Sequence, residues 1–333
     1  MKIIVPMAGI GSRMRPHTLT TPKPLLPIAG KPIVQRLVED IAAVCEEKIT
    51  DIAFIIGDFG DKVKEDLKKV AADLGAVGHV HRQEEALGTA HAIMCAKEQL
   101  DGKVVVAFAD TLFRANFKLD SERDGIIWVQ KVEDPSAFGV VKLDDQGVIT
   151  DFIEKPSEFV SDLAIIGIYF FKDGAYLRSE LQYLLDNKIM DRGEYQITDA
   201  LENMKKKGTQ FAPGEVIEWM DCGKKEVTVD TNKRVLENNK DKNWVADSVE
   251  SNDAVIIPPC YIGENVKVTR SVVGPHVSIG DNTVIEDSVI KNTIIQKDAF
   301  LSHAQLADSM VGNHAKYKGI LRDVSIGDYC QES

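Results

Sequence analysis

MKIIVPMAGIGSRMRPHTLTTPKPLLPIAGKP, residues 1–32, begins with an apolar run of mostly β-branched side chains from Lys2 to Val5 and then turns abruptly to glycine. The run predicts a short buried strand. The turn that follows, Gly9-Ile10-Gly11-Ser12-Arg13, lets backbone N–H groups approach an anion closely, because no Cβ intervenes at the glycines. Pro16, Pro22, Pro24 and Pro27 mark a long loop, and Pro32 suits the first turn of a helix, where its missing N–H costs nothing. Residues 1–38 hold six basic residues (Lys2, Arg13, Arg15, Lys23, Lys31, Arg36) and no Asp or Glu. Simple proportion would put about six acids there. A local cation cluster in a chain of net charge −12 predicts a polyphosphate site.

Outward from this stretch the pattern alternates. Ile33 to Cys45 has a helical stripe, 49–57 reads as a strand, and Asp61 is placed to cap a helix with Val63, Leu67, Val70 and Leu74 on its apolar face. A strand over 77–82, a helix over 90–100 and the buried strand 104–109 follow, with Asp110 at the carboxyl end of the last. Alternating strands and helices predict an α/β fold with a Rossmann-like, doubly wound mixed sheet. Ligands of such sheets bind beyond the carboxyl ends of the strands, where the 9–13 loop and Asp110 both fall. Strands are predicted over 126–132, 140–143, 148–153, 163–171 and 215–220, the last ending at Asp221, with helices over 174–186, 194–207 and 224–239.

The texture then changes. Units such as Ile262-Gly-Glu-Asn-Val, Ile279-Gly-Asp-Asn-Thr and Val311-Gly-Asn-His-Ala recur every five to six residues, each opened by an aliphatic. This hexapeptide pattern predicts a parallel β-helix of about four coils whose opening aliphatics stack into a core. Ile326-Gly327-Asp328 reads as a last partial unit. The predicted organisation is a first domain over 1–240, a linker over 241–254 and the β-helix over 255–333.

Composition narrows the partners. The acidic balance argues against nucleic acid and anionic membrane, and no run of eighteen apolar residues or signal-like leader is present, so a soluble cytoplasmic protein is expected. Five scattered cysteines (Cys45, Cys95, Cys222, Cys260, Cys330) with no C-x-x-C spacing argue against a disulfide framework or a zinc site.

Gly9-x-Gly11 is not a dinucleotide fingerprint, since Met14 replaces the third glycine, and no Gly-Lys-Ser/Thr closes a Walker loop. The longer set of Gly9, Gly11, Ser12, Arg13, Pro16, Thr18, Pro22-Lys23-Pro24 and Gly30-Lys31-Pro32 instead resembles the signature of the sugar-1-phosphate nucleotidyltransferases, or sugar nucleotide pyrophosphorylases. Within that family the chain looks similar to glucose-1-phosphate thymidylyl- and uridylyltransferases that carry a C-terminal left-handed β-helix. The resemblance implies attack of a sugar 1-phosphate on the α-phosphorus of an NTP, with pyrophosphate leaving. Such a reaction needs no protein nucleophile, only positioning and charge neutralisation.

The resemblance also implies roles. Gly9, Gly11, Ser12 and Arg13 would hold the triphosphate, with Lys23 facing the phosphates. Asp110 and the Asp221 of Trp219-Met220-Asp221-x-Gly223 match the two aspartates that bind Mg²⁺. Gln83 to His91 (QEEALGTAH) resembles the base-reading segment; Gln83, Gly88 and Thr89 would meet the nucleotide, and Gln83 favours uridine or thymidine over guanine. His91 reads as an ordinary helix-face residue. Glu154-Lys155-Pro156 resembles the sugar-pocket motif, with Lys155 on the phosphate, Gly139 close to the sugar and Arg192 facing phosphate. Ile166, where relatives have Asn or Thr before the equivalent of Gly167, weakens the case for an N-acetylated sugar. The expected partners are an NTP, with dTTP or UTP favoured, and glucose 1-phosphate, in a homo-oligomer. Alternatives are a mannose-1-phosphate guanylyltransferase, a bifunctional uridylyl- and acyltransferase using His276, His303 or His314 as a base, and a non-catalytic regulatory subunit.

Overall fold

The computed structural model describes residues 1–320 and 322–329, and contacts divide the chain into two compact units. One comprises Met1–Leu26 and Pro32–Gly223; the other comprises Pro27–Lys31 and the chain from Lys224 onward. Among the described residues no helix is long and apolar enough to cross a membrane.

The first unit is built on a nine-stranded mixed sheet. Lys2–Pro6 lies at its centre, parallel to Asp51–Ile56 on one side and to Val104–Ala107 on the other, and Val77–Arg82 extends the parallel part to the edge. Beyond Val104–Ala107 the direction reverses. Leu163–Phe171 pairs antiparallel with it and with Gly125–Lys131, and the hairpin Gly139–Leu143 with Ile149–Glu154 completes that flank. Near-continuous burial of Ile3, Ile4, Val5, Val104, Val105 and Val106 is what a central strand covered on both faces requires. The helices Ile33–Val44 and Gly60–Asp73 bury Leu37, Ile41, Val63 and Leu67 at helical spacing.

Some boundaries differ from expectation. The helix expected over 90–100 is Thr89–Met94 followed by a 3₁₀ turn at Lys97–Gln99, and the one expected from 194 starts at Ile197. Asp61 lies in the first turn of its helix rather than at the cap, paired with Lys64. The single strand expected over 215–220 is two, Phe211–Glu215 in the main sheet and Glu218–Asp221 in a separate ribbon with Thr111–Arg114. That unforeseen ribbon aligns Asp221 with Thr111, next to Asp110.

In the second unit, three parallel sheets of five, five and four short strands wind into a three-sided β-helix. Val245, Ile262, Ile279, Ile295 and Val311 stack on one face. Val268, Ile285 and Leu301 stack on the second, and Ile256, Val273, Ile290 and Leu306 on the third. Corners are turned by residues with φ between 41° and 64°, among them Asn265, Arg270, Asn282, Asp287, Asn292 and Asp298. Asn and Asp tolerate this left-handed conformation because their short polar side chains bond locally. His276, His303 and His314 occupy the same kind of corner, so the backbone path accounts for their positions.

The division by contacts falls at 223/224, ahead of the expected boundary at 240, and the expected linker at 241–254 carries strands. Helix Lys225–Glu237 belongs to the second unit, where it buries Val229, Asn232, Val235 and Leu236. Trp244–Val245 and Glu250–Asn252 already pair with the coil that follows, so the supposed linker forms the first coil. Its strands lack the aliphatic-glycine opening that marks later units, which hid them. Ile326-Gly327-Asp328 forms no strand and Ile326 is exposed, so the partial unit does not extend the helix. Cys45, Cys95, Cys222 and Cys260 form no disulfide, and Cys330 lies outside the described residues.

Candidate active site

Four parallel strands end on one edge of the sheet, and the loops beyond them carry Met7–Gly11, Gly57, Gln83 and Asp110. Between these loops lies a cleft of about 280 Å³, lined among others by Gly9, Gly11, Lys23, Gln83, Gly88 and Asp110. Gly11, at φ 63°, starts the 3₁₀ turn Ser12–Met14, and its carbonyl accepts from the Thr18 hydroxyl at 2.8 Å. A Cβ there would come within 3.1 Å of the Lys23 Cβ and 3.2 Å of Thr18. Gly11 therefore lets the loop fold tightly over Lys23. Gly9 has nothing within 4 Å of where a Cβ would stand, so its face is open to a ligand. Ser12 and Arg13 are exposed at the loop's far end.

Charge concentrates beside this loop. Lys23 Nζ donates to Asp110 Oδ2 at 2.7 Å. The Cys222 N–H donates to the Asp110 carbonyl at 2.9 Å, closing the ribbon that carries Asp221 alongside. Burial, reinforced by the Asp110 charge, pushes the Asp221 carboxyl above the ordinary range, against the opposing pull of the Gly223 N–H, Lys23 and Arg13. The Gly223 N–H donates to Asp221 Oδ1 at 2.8 Å, and a Cβ on Gly223 would lie 3.4 Å from an Arg13 guanidinium nitrogen. Two carboxylates and two cations are thus gathered from three distant parts of the sequence, the 13–23 loop, Asp110 and Asp221. Among the described residues no cluster of three or more His, Cys, Asp or Glu is placed to hold a metal. A pair of carboxylates suits a hard divalent cation that keeps waters and takes phosphate oxygens.

The base-reading segment is stitched in place. Gln83 Nε2 donates to the Gly88 carbonyl at 3.2 Å and lies 3.1 Å from His91 Nδ1. His91, read from sequence as an ordinary helix-face residue, helps fix the Gln83 amide. Gly88 adopts φ 104°, and a Cβ there would stand 2.5 Å from the Tyr195 carbonyl oxygen. Its need for glycine therefore comes from Tyr195. The Thr89 hydroxyl accepts from the Ile197 N–H at 3.0 Å and donates to Gln196 Oε1 at 3.2 Å. Gln196 in turn donates to Glu194 Oε2 at 3.0 Å, orienting a carboxylate that lines the cleft. Glu194 stands two residues after Arg192 on the same turn, and nothing in its spacing marks it as a cleft residue.

Gly139 and Glu154 face each other across a hairpin, and a Cβ on Gly139 would lie 3.0 Å from Glu154 Oε2. Lys155, at φ 44°, points its amine to within 3.7 Å of Glu154, and its N–H donates to the Phe138 carbonyl. Phe138 packs edge-on against Trp219 at 4.9 Å, which connects this pair to the Asp221 strand. Arg192 is exposed on the 191–194 turn, 4.0 Å from Asp191, and does not line the cleft. Ile166 is buried, with its carbonyl accepting from the Thr111 hydroxyl at 2.9 Å, so its side chain reports on the core rather than on the sugar.

Residues 2–238 match the family described as Nucleotidyl transferase. The chain belongs to that family. The low-salt glycan biosynthesis nucleotidyltransferase Agl11 of Haloferax volcanii is 31% identical over 345 residues, covering 95% of this chain and 93% of that protein. A glucose-1-phosphate thymidylyltransferase of Streptomyces antibioticus is 30% identical over 344 residues, with the same coverage of 95% and 93%. A solved UDP-glucose pyrophosphorylase in complex with UDP-glucose shares the fold, with a TM-score of 0.59 over 72% of this chain and 99% of that one, at 24% identity. This protein is a sugar nucleotidyltransferase, and its family takes an NTP and a sugar phosphate.

One partly buried acid in this nucleotidyltransferase lies outside the expected set. Asp199, in the first turn of helix Ile197–Lys206, has a buried Oδ2 with no hydrogen-bond partner. Burial, followed by the charges of Asp191 and Glu154, raises its pKa. A raised acid binds more protons folded than unfolded, so its contribution to stability falls as pH rises from its unfolded value through its folded one. Asp199→Asn is expected to melt higher than the parent at pH 7, with the gap narrowing toward about pH 4. Thermal melts across that range test this, and a gap that stayed constant with pH would refute it.

Proposed function

We propose that this enzyme transfers a pyrimidine nucleotidyl group, from dTTP or UTP, to a hexose 1-phosphate, glucose 1-phosphate being the first candidate. The observation that carries the reading is the Arg13–Lys23–Asp110–Asp221 cluster set beside a cleft whose wall presents Gln83. With its NH₂ group tied to Gly88 and His91, Gln83 keeps Oε1 as an acceptor, which suits the N3–H of uracil or thymine.

The Gly9–Gly11 backbone and Arg13 bind the β- and γ-phosphates, Arg13 through a planar multidentate donor. Asp110 and Asp221 would hold Mg²⁺, which supplies charge neutralisation at the α-phosphate and the incoming sugar phosphate. Lys23 places a compact positive charge at the same point. Glu194 and Glu154 accept from sugar or ribose hydroxyls, and Lys155 binds the sugar phosphate. A sugar-phosphate oxygen then forms a bond to the α-phosphorus while the bond to the bridging oxygen breaks, and its electron pair leaves with pyrophosphate. The attacking phosphate is already ionised, so no protein base is required.

The test is pyrophosphate release with Mg²⁺ over a grid of four NTPs and several sugar 1-phosphates. Release with dTTP or UTP is expected. Release with GTP and mannose 1-phosphate alone would overturn the assignment of Gln83, and silence across the grid from folded protein would favour a regulatory subunit.

A further inference from the structure

Gln83 lies directly after strand Val77–Arg82, and its backbone N–H donates to the Ile56 carbonyl at 2.9 Å, which seats it in the wall of the cleft. Its amide nitrogen has two neighbours. One is the Gly88 carbonyl at 3.2 Å, which also accepts from the Ala92 N–H at 3.1 Å. The other is His91 Nδ1 at 3.1 Å, on helix Thr89–Met94. A carbonyl oxygen can only accept, so the Gly88 contact requires Nε2 rather than Oε1 on that side. The amide nitrogen can only donate, so the His91 contact requires Nδ1 to be the unprotonated ring nitrogen, with the ring proton on Nε2. Both hydrogens of the Gln83 amide are thereby committed. Among the described residues none donates to Gln83 Oε1, which is the amide atom left for a ligand in the cleft.

Which base an amide reads depends on which of its ends faces outward. With Oε1 outward it accepts the N3–H of uracil or thymine. Cytosine presents a bare N3 at that place, and two lone pairs would meet. Turning the amide over would suit cytosine. It would also set Oε1 against the Gly88 carbonyl and His91 Nδ1, exchanging two hydrogen bonds for two lone-pair contacts. We propose that His91 is a positioning residue for Gln83: its Nδ1 holds the amide with Oε1 outward, and so makes the site prefer uracil or thymine to cytosine. The consequence for substrate choice rests on the proposed role of Gln83 as base reader, whereas the hydrogen bond does not.

The test compares kcat/KM for UTP against CTP, and for dTTP against dCTP, with the sugar 1-phosphate that gives pyrophosphate release in the parent. His91→Leu removes the acceptor and is expected to lower the preference for the uracil or thymine nucleotide about three- to tenfold, the factor one neutral hydrogen bond is worth. His91→Asn offers an amide oxygen in place of Nδ1 and should restore the parent ratio. A loss of packing alone would slow both nucleotides together, so an unchanged ratio in folded His91→Leu would overturn the proposal. Should His91→Leu fail to fold, His91→Ala removes the same acceptor and the same fall is expected. A second reading needs no substrate. In ¹⁵N-histidine-labelled full-length protein at about pH 8, where ordinary imidazoles are neutral, His91 is assigned by the signals lost in His91→Asn. Its Nδ1 should resonate as the unprotonated nitrogen and its Nε2 as the protonated one, and the reverse would overturn the proposal. A parent that took cytosine nucleotides as readily as uracil and thymine ones would remove Gln83 as base reader, and with it the effect on substrate choice. The ring assignment would then still decide whether His91 holds the Gln83 amide.

Discussion

Asp221→Asn should lose turnover by about 10²–10³-fold, the usual cost of removing one preorganised electrostatic group, and yet melt higher than the parent in metal-free buffer. The two effects share one cause. Asp221 is partly buried beside Asp110, and burial with that like charge disfavours its ionised form. The amide keeps Oδ1 as acceptor for the Gly223 N–H at 2.8 Å, so the ribbon's local geometry survives. What disappears is a desolvated charge facing another carboxylate, and each kcal/mol relieved is worth about 2–4 °C in a unit of this size. Lys23 and Arg13 lose some attraction, but they rank below burial and Asp110 among the influences on Asp221. Adding Mg²⁺ should reverse the order, because a ligand at about 100 times its Kd stabilises the parent by about 2.7 kcal/mol and finds half its donors missing in the variant. Melts with and without Mg²⁺ and initial rates of pyrophosphate release are sufficient. Equal activity, or an identical Mg²⁺ shift in both proteins, would remove Asp221 from the site.

The sequence made the parallel half of the sheet and the β-helix legible for a definite reason: both are written as local periodicity. Lys2–Pro6, Asp51–Ile56 and Val104–Ala107 each hold a run of consecutive apolar residues, and the coils repeat an aliphatic at near-constant spacing. The position of Asp221 next to Asp110 was not written that way, because Glu218–Asp221 leaves the main sheet for a ribbon with Thr111–Arg114, a pairing set over about a hundred residues of separation. The hairpin tip at Ala29 is a similar case, since its contacts with Asn232 depend on a helix two hundred residues later. The roles of Glu194 and His91 are not legible in that way, because the contacts that define them, Gln196 with Glu194 and His91 with Gln83, have no sequence period. Arg192 shows the converse: it fits a motif, yet the turn that carries it leaves its side chain in solvent.

Two glycines that line the cleft, Gly88 and Gly9, should separate stability from chemistry. Gly88→Ala is expected to destabilise the fold by about 2–4 kcal/mol, combining left-handed strain with a displaced peptide. At φ 104° a methyl group would stand 2.5 Å from the Tyr195 carbonyl oxygen and 2.7 Å from its nitrogen, far inside contact distance. Both atoms are already committed, the carbonyl to the Ala90 N–H and the N–H to the Leu87 carbonyl, each at 2.9 Å. Moving Tyr195 therefore costs two buried hydrogen bonds and carries the Gly88 carbonyl away from Gln83. The KM for the NTP should rise tenfold or more, since a misplacement of about 1 Å is enough for a loss of that order. Gly9→Ala should behave in the opposite way. Nothing lies within 4 Å of its Cβ position and its φ needs no glycine, so the melting temperature should stay within about 1–2 °C. The new methyl instead occupies the space through which the loop's N–H groups would meet phosphate, and turnover should fall. A Gly9→Ala enzyme with full activity would mean that the 9–13 loop is not the phosphate cradle. A Gly88→Ala enzyme as stable as its parent would mean that the Leu87–Ala90 segment is not tied to Tyr195.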